Sequence, residues 1–270
     1  MPEVRVISLP GETIRRRNVE AQMRELGLEF QFFDAVDARE GRDPVLDRFK
    51  PMSFLARKGR VHRAGEVGCY ASHFLLWQEC AASEKPFLVL EDDFVFTKEA
   101  KRSLADVFAL ADTYDFIRLE PTRKKLSLEK MSLNNLKVIR FLKVPQALTG
   151  YQITPSAARR LCAASTVFRH PVDGFVRNQY LHRVPIHGVE PPVVVPGGGD
   201  LMPSTIGSRR GQPSAAWAKV SRRVFRLGGA TLNFIENFRI FFACKEYRSV
   251  RRLRLSRSLP PPDPISDIVS

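Results

Sequence analysis

Cysteines are scarce in this chain of 270 residues, and long apolar runs are missing. The four cysteines lack the paired C-x₂-C spacing of a zinc site and are too few for a disulfide framework, so we expect buried, reduced thiols in a cytosolic protein. A helix that spans a membrane needs about 20 consecutive apolar residues. Uninterrupted apolar stretches such as residues 87–90 are far shorter, and we therefore expect no membrane span.

The first residues lack the pattern of a secretory signal, which has a basic start followed by about 7–15 apolar residues. Residues 4–9 instead alternate in polarity and are followed by Pro10 and Gly11, a pattern typical of a first β-strand. The phosphate-binding motif G-x-x-x-x-G-K-S/T is also absent from the sequence, which disfavours a P-loop NTPase.

Basic residues are in excess, with 43 Lys and Arg against 29 Asp and Glu and a formal net charge of +14. The excess is concentrated between residues 209 and 257, where thirteen basic residues accompany two acidic ones. Such a segment binds a polyanionic surface or forms a solvated helix without a partner, and composition does not separate these two interpretations. Hydrophobic residues make up 44% of the chain, which is enough for a sizeable core.

Strand-like and helix-like patterns alternate along the chain. The strand patterns cover residues 4–9, 29–36, 87–90, 115–119 and 137–142. Helical spacing predicts one helix that Thr13 caps and Gly27 ends, followed by helices over 64–83, near 99–111 and from about 156. This order predicts an α/β fold with a mostly parallel central sheet flanked by helices.

Proline and glycine divide the chain. A Pro/Gly-rich stretch at residues 191–199 indicates the end of the compact part, and three prolines at 260–262 open a terminal tail. We therefore predict a catalytic domain over residues 1–205, a basic amphipathic helical segment over 206–258 and a flexible tail over 259–270.

Three consecutive carboxylates follow the apolar strand at residues 87–90, namely Glu91, Asp92 and Asp93. Like charges repel and raise one another's pKa, so a positive partner is expected. Mg²⁺ and Mn²⁺ suit oxygen ligands, and ligands of open α/β sheets bind at the carboxyl ends of the strands. The alternative interpretation is an acidic turn whose residues cap the next helix.

Further segments occur in a characteristic order. They are ISL at residues 7–9, RRR at 15–17, FDAVD at 33–37, GEVGCYASH at 65–73, LVLEDD at 88–93, TGYQIT at 149–154, AARRL at 157–161 and PVD at 171–173. Together they resemble glycosyltransferase family 25, which contains bacterial lipopolysaccharide galactosyltransferases and relatives of the collagen galactosyltransferases. The resemblance covers about residues 3–195.

The resemblance implies a GT-A-like, Rossmann-type fold and a UDP-hexose donor. It also implies that Glu91 and Asp93 hold Mn²⁺ or Mg²⁺, which neutralises charge on the departing UDP, while Asp92 faces the ribose. The other residues implied in binding the UDP-sugar are Ser8, Leu9, Arg15, Asp37, Gly68, Ser72 and His73. Gly68 would permit a close backbone approach. A packing role for His73 and a solvated helix face for Arg15 are the alternatives.

The resemblance further implies an inverting reaction, which needs a general base beside the acceptor hydroxyl. Asp173, in the PVD segment, and Glu120, at a strand end, are the candidates. Asp173 could instead be a helix N-cap. We interpret His187 as a packing residue rather than an additional metal ligand.

We therefore expect a metal-dependent inverting glycosyltransferase that moves galactose or glucose from a UDP-sugar to a saccharide or lipid-linked acceptor such as lipopolysaccharide. The basic segment predicts either peripheral contact of a cytoplasmic enzyme with the inner face of an anionic membrane or a helix packed on the catalytic domain. The alternative function is a basic nucleic-acid-binding protein with an α/β domain. That alternative leaves the acidic cluster unexplained, so we expect no nucleic-acid partner.

Overall fold

The computed structural model describes residues 1–122, 127–197 and 216–243. The strands in these residues are β1 (Glu3–Ser8), β2 (Gln31–Asp34), β3 (Phe87–Glu91), β4 (Phe94–Phe96), β5 (Phe116–Arg118), β6 (Ser127–Leu133), β7 (Leu136–Phe141), β8 (Gly150–Ile153), β9 (His187–Glu190) and β10 (Val194–Pro196). The α-helices are α1 (Thr13–Leu26), α2 (Pro51–Lys58), α3 (Ala64–Ser83), α4 (Ala100–Ala109), α5 (Pro155–Ala164), α6 (Val172–Arg177), α7 (Gln179–His182) and α8 (Ala216–Ala243).

Eight strands form the central sheet in the order β2-β1-β3-β8-β5-β9-β7-β6, and β4 pairs with β10 in a small antiparallel ribbon. β1 is parallel to β2 and β3, and β5 is parallel to β9. β8 is antiparallel to β3 and β5, and β7 is antiparallel to β6 and β9. Six of the eight strands therefore point the same way, and the predicted α/β fold with a mostly parallel sheet is confirmed.

Helices cover both faces of this sheet. On one face, α3 and α5 pack over an apolar cluster that contains the buried side chains of Tyr70, Trp77 and Phe116. On the other face, α1 and α4 contribute Val19 and Leu104 to a second cluster. Burial of each large apolar side chain contributes about 1.5–3 kcal/mol. The two layers together hold the strands, and with them the strand ends, in fixed positions.

The boundaries of two predicted helices can be compared with the structure. α3 spans the predicted residues, Ala64–Ser83. Thr13 is the first residue of α1, but Glu12 takes the N-cap position and makes no side-chain capping bond, so the prediction that Thr13 caps this helix is wrong. Gly27 ends α1 as predicted, because its φ of +63° is accessible to glycine without the steric cost of a Cβ.

The close backbone approach predicted at Gly68 is present. A Cβ at this position would lie 2.3 Å from the carbonyl oxygen of Val36, so only glycine lets α3 touch the segment that follows β2. One turn later, the Ser72 hydroxyl accepts a hydrogen bond from the Val36 N–H at 2.9 Å and donates one to the Gly68 carbonyl at 2.8 Å. These contacts hold the segment after β2 against α3.

Strand β8 lies between β3 and β5 and runs against both. Its four residues are all buried, and the first of them, Gly150, pairs with Leu90 near the end of β3. The sequence patterns do not predict β8, nor do they predict β4, β6, β9 or β10. Because β8 is reversed, its beginning lies at the edge of the sheet where β3 ends.

Within the predicted basic segment, the structure describes helix α8. This helix packs on α2, where Ala218 lies against Gly59, and on α7. Near α7, the Asn233 side chain donates to Oδ1 of Asn178, the residue before that helix, at 2.9 Å. The Asn237 side chain donates to the carbonyl of Leu142, directly after β7, at 2.8 Å. The described part of the segment is thus helical, as predicted, and in contact with the α/β body.

The remainder of that segment, residues 206–215 and 244–258, and the predicted tail over 259–270 lie outside the described residues. The domain boundary at residue 205 lies there too and stays a prediction. None of the helices described in the structure is both long enough and apolar enough to cross a membrane.

Candidate active site

Polar side chains gather where β1, β3 and β5 end. Ser8 is the last residue of β1, the acidic cluster begins at the last residue of β3, and Glu120 follows β5 by two residues. These three strands point the same way, so their carboxyl ends share one edge of the sheet. The predicted site is therefore assembled at the edge where open α/β sheets bind ligands.

Asp92 is neutralised from within the protein. Its Oδ1 accepts a hydrogen bond from Arg15 Nη1 at 2.8 Å, and its Oδ2 accepts one from the Ser8 hydroxyl at 2.8 Å. All three residues are buried. In this geometry their polar atoms join the ends of β1 and β3 to α1, and the predicted contact of Ser8, Arg15 and Asp92 with the nucleotide stays a prediction.

The Glu91 carboxylate contacts the buried side chain of His73. Its Oε1 lies 3.2 Å from His73 Nε2 and 3.4 Å from the Cys69 sulfur. Burial raises the pKa of Glu91 to about 8, the hydrogen bond from Cys69 opposes this rise, and the negative charges of Glu120, Asp173 and Asp92 add to it. Glu91 is therefore a carboxyl that holds its proton near neutral pH unless a cation replaces it.

His73 is fixed by a hydrogen-bonded chain rather than open to a ligand. The Trp77 N–H donates to the Tyr151 hydroxyl oxygen at 2.8 Å, and Tyr151 lies 2.8 Å from His73 Nδ1. Tyr151 can then give its hydrogen to Nδ1, which leaves the Nε2–H to donate to Glu91. Burial lowers the pKa of His73 to about 3, so the ring is neutral. In the described structure both ring nitrogens of His73 are engaged within the protein, and the predicted contact of His73 with the nucleotide stays a prediction.

One carboxylate oxygen of Asp93 makes no hydrogen bond to the described residues. This atom, Oδ1, is buried. Burial raises the pKa of Asp93 to about 7, the charge of Glu91 adds to the rise, and Arg15 opposes it. A buried carboxylate oxygen without a partner is costly, and a bound cation is the partner that would relieve that cost.

Two sets of side chains could hold a metal ion here. The ligand atoms of Cys69, His73 and Glu91 lie within 4.8 Å of one another. Burial, together with the charge of Glu91, raises the pKa of the Cys69 thiol well above its usual value, so this group is not the thiolate that a soft metal prefers. The oxygen pair of Glu91 and Asp93 suits Mg²⁺ or Mn²⁺ better.

The two candidate bases differ in their surroundings. Glu120 is 3% exposed and accepts from Arg118 Nε at 3.0 Å, and the same arginine donates to the Pro145 carbonyl at 2.7 Å and the Ala147 carbonyl at 2.7 Å. The Glu120 carboxylate is therefore engaged in an internal ion pair that also holds the loop before β8. Sequence reasoning missed Arg118, although an arginine directly before Leu119 and Glu120 at a strand end was visible.

Asp173 is better placed to act on a substrate. Pro171 takes the N-cap position of α6, so the alternative that Asp173 caps this helix is wrong. The Asp173 side chain is partly exposed, and its Oδ1 accepts from the Gly174 N–H at 2.7 Å. Burial is the main cause of the raised pKa values of Glu91 and Cys69, and the charge of Asp173 adds to both.

The remaining predicted residues lie around this centre. Ser72 uses its hydroxyl within the protein, as described above, and is fully buried. Leu9 directly follows β1, and Asp37 accepts hydrogen bonds from Arg39 Nε at 2.8 Å and 3.0 Å, which lowers its pKa. His187 is buried in β9 with its ring 4.6 Å from that of Tyr114, in agreement with a packing role.

Residues 1–176 match the sequence model of glycosyltransferase family 25, described as an LPS biosynthesis protein family. The match covers more than half of the chain, and the chain belongs to this family, as its motifs predict. All the predicted site residues except His187, which we interpret as packing, lie inside the matched residues. α7 and α8 lie outside them.

Three relatives illustrate the range of the family. The lipooligosaccharide biosynthesis protein lic2B of Haemophilus influenzae is 26% identical over 168 residues, which are 58% of this chain and 61% of the relative. The lacto-N-neotetraose biosynthesis glycosyltransferase LgtE of Neisseria meningitidis serogroup B is 32% identical over 121 residues, 43% of this chain and 42% of the relative. The probable inactive glycosyltransferase 25 family member 3 of Rattus norvegicus is 29% identical over 185 residues, 64% of this chain and 32% of the relative. The chain thus spans less than two thirds of each of these relatives.

The contrast between Asp92 and Asp93 predicts opposite effects on stability. Asp92→Asn removes the closer of the two carboxylates that pair with buried Arg15, the other being Glu12 at 3.9 Å, and should lower the free energy of unfolding by up to about 3–5 kcal/mol. Asp93→Asn should leave stability unchanged or raise it above pH 7, because a carboxyl whose pKa is raised on folding destabilises the protein as pH rises from 3.8 to about 7.

Urea unfolding at pH 8 in the presence of a chelator measures both variants against the parent protein. Equal losses of stability in the two variants would contradict the different roles of the two carboxylates.

Proposed function

We propose that the protein is a metal-dependent inverting glycosyltransferase with a GT-A-like catalytic domain. It transfers a hexose, galactose or glucose, from a UDP-sugar to a saccharide acceptor such as lipopolysaccharide. The observation that carries this proposal is the pair of partly buried carboxyl residues at the end of β3, Glu91 and Asp93, with a buried Oδ1 on Asp93 that has no hydrogen-bond partner among the described residues. A dianionic diphosphate would not bind beside these groups without a cation between them.

Glu91 and Asp93 would hold Mn²⁺ or Mg²⁺, and the cation would supply charge neutralisation at the diphosphate as the bond to the sugar breaks. His73, supported by Tyr151 and Trp77, orients the Glu91 carboxylate through its Nε2–H. Arg15 is engaged with Asp92 and so keeps that carboxylate from adding a further unbalanced charge. The protein groups thus fix two oxygen ligands at one place before substrate arrives.

Asp173 is the proposed general base. It would take the proton of the acceptor hydroxyl as that oxygen attacks the anomeric carbon on the face opposite UDP. The partial exposure of Asp173, and its charge, which adds to the raised pKa of Glu91, support this choice. Glu120 is less suitable because its carboxylate is buried and paired with Arg118.

The names of the bacterial relatives support a saccharide acceptor, because they refer to lipooligosaccharide and lacto-N-neotetraose biosynthesis. The name of the rat relative refers to an inactive protein, so family membership alone does not establish turnover. The nucleic-acid-binding alternative leaves the acidic cluster at the end of β3 unexplained. Turnover of UDP-sugars in the presence of Mn²⁺, detected as UDP release, is the direct test.

Removal of one carboxylate charge should separate metal-dependent from metal-independent binding. We expect Asp93→Asn to weaken Mn²⁺-dependent binding of UDP by about tenfold or more, because it neutralises the oxygen that lacks any other partner. In the parent protein the same affinity should increase from about pH 6 to about pH 8.5, since carboxyls with raised pKa values must lose protons before they bind a cation. Titration calorimetry measures both effects.

Asp112→Asn, on an exposed turn far along the chain from the acidic cluster, is the matched control and should leave UDP binding unchanged. Unaltered Mn²⁺-dependent affinity in Asp93→Asn would remove this carboxylate from the proposed metal site.

The base assignment predicts a loss of turnover without a loss of donor binding. We expect Asp173→Asn to lower kcat by about 10²–10⁴-fold while the affinity for UDP stays unchanged, because an amide cannot accept the acceptor proton. Glu120→Gln should instead destabilise the fold, since it leaves buried Arg118 unpaired. Steady-state kinetics normalised to folded protein separate the two variants, and normal kcat in Asp173→Asn would assign the base elsewhere.

In this proposal the enzyme works in the cytoplasm and contacts the inner face of the membrane through α8. Val220, Leu227 and Ile235 recur at helical spacing on α8 and are 61%, 66% and 55% exposed. Arginines on the same helix, such as Arg223, would face anionic headgroups. A helix with exposed apolar side chains and a basic surface binds at the membrane interface.

Replacement of these three apolar residues by serine should reduce co-sedimentation with vesicles that contain phosphatidylglycerol by about tenfold or more, because less apolar surface enters the interface. Ile14→Ser, which changes an equally exposed apolar residue on α1, is the control and should have little effect. Equal vesicle binding by the triple variant and the parent would show that α8 does not make the contact.

A further inference from the structure

A large cavity lies between α8 and the α/β body. It has a volume of about 1600 Å³ and is bounded by α2, α6, α7, the central part of α8 and the residues that follow β7. Helix α8 crosses this space and is attached on either side of it, through Ala218 on α2 and through Asn237 on the residues after β7. The cavity is therefore formed by the packing of α8 on the α/β body and is partly open to solvent.

The lining of this cavity is strongly basic. Eight of its lining residues are Lys or Arg, among them Arg57, Lys58, Arg169 and Arg177, whereas Asp173 is the one acidic residue among the described residues that line it. Glu66 offsets one of the eight by its ion pair with Arg60. The remaining excess of positive charge favours an anionic occupant.

The basic groups of the wall influence one another electrostatically. His170 lies on the cavity wall, and its pKa is lowered to about 3 by burial and by the charges of Lys58, Arg57 and Arg169. Burial and the charge of Arg169 also lower the pKa of Arg57. Cations held together in this way are stabilised when an anion binds between them.

Aromatic side chains complete the wall. Tyr180 lies on the α7 side and Phe225 on the α8 side, and the guanidinium of Arg57 is 4.3 Å from the centre of the Phe225 ring. Flat apolar surfaces beside charged donors suit a sugar that carries an acidic group, because the ring packs on the aromatic face while the donors hold the anion.

The cavity also reaches the proposed base. Asp173 and Gly174 belong to its wall, and Lys58 Nζ lies so near Gly174 that a Cβ there would be 2.8 Å from it. Asp173 thus lines the cavity, and its charge also raises the pKa of Glu91 in the acidic cluster. A saccharide seated in the cavity would bring a hydroxyl to Asp173.

We infer that this cavity is the acceptor site and that it takes a saccharide bearing phosphate or carboxylate groups close to the hydroxyl that is glycosylated. The inference rests on the proposed function and adds to it the charge class of the acceptor. Part of the cavity wall, α7 and α8, lies outside the residues matched by the family, whereas Arg57 and Arg169 lie inside them.

A pair of probes that differ only in phosphate tests the inference. The phosphorylated core oligosaccharide of a deacylated bacterial lipopolysaccharide is compared with the same material after chemical dephosphorylation, by calorimetry on the full chain with UDP and Mn²⁺ at saturation. We expect the phosphorylated probe to bind at least about tenfold more tightly, because charge-assisted hydrogen bonds are lost with the phosphates. Saturating UDP and Mn²⁺ keep the donor site filled, so phosphate binding there does not contribute.

Arg57→Gln combined with Arg169→Gln should weaken binding of the phosphorylated probe by about tenfold and raise the KM for it, with UDP affinity unchanged. Arg102→Gln, an exposed arginine on α4 that does not line the cavity, is the matched control and should change neither value. If the double variant is unfolded by circular dichroism, Arg169→Gln alone, at an exposed position, takes its place and should show the smaller loss of one contact.

Three results would overturn the inference: equal affinity for the two probes, unchanged affinity in the cavity variants, or displacement of the phosphorylated probe by phosphatidylglycerol vesicles with no oligosaccharide turnover. The last would assign the cavity to a lipid headgroup. Failure of UDP to bind with Mn²⁺ would instead contradict the proposed function, and the probe affinities measured without UDP would still report on the cavity.

Discussion

Mutual repulsion of the three carboxylates at the end of β3 is the constraint on which the rest of the site depends. The three carboxylates have different partners in the fold. Asp92 receives an arginine and a serine and is neutralised. Glu91 and Asp93 receive no cation from the described residues, and burial therefore raises their pKa values to about 8 and about 7. The ion pair of Asp92 with Arg15 thus joins the end of β3 to α1. The carboxyls of Glu91 and Asp93 remain able to bind an external positive charge.

The polar residues beneath that cluster carry no exposed surface and have a supporting function. Trp77, Tyr151 and His73 form a line of hydrogen bonds from the apolar core to Glu91. Because each member is packed among aromatic rings, the histidine has little freedom to rotate, and neither has the carboxylate above it. A site whose ligands are held this rigidly loses little entropy when a substrate binds, which is the general advantage of second-layer support.

The sequence predicts the features that depend on local patterns. The residues of α3, the apolar strand β3 and the ending of α1 at Gly27 follow from periodicity and from the conformational freedom of glycine. It does not predict β8 or the partners of Asp92, because these depend on residues far apart in the chain. Four residues of mixed character become a strand only when two neighbours are present to pair with them. Family motifs identified Ser72 and His73 as functional positions, but only the packing shows that their polar atoms are used internally.

Helix α8 is the last of the described elements to be synthesised. A chain is synthesised from its N-terminus and its early part folds first. The carboxyl cluster, its arginine and the histidine beneath it all come from the first 151 residues. The cavity wall formed by α7 and α8 is synthesised later. Substitutions on the cavity side of α8 therefore change the wall of the cavity without changing any residue that holds the carboxyl cluster.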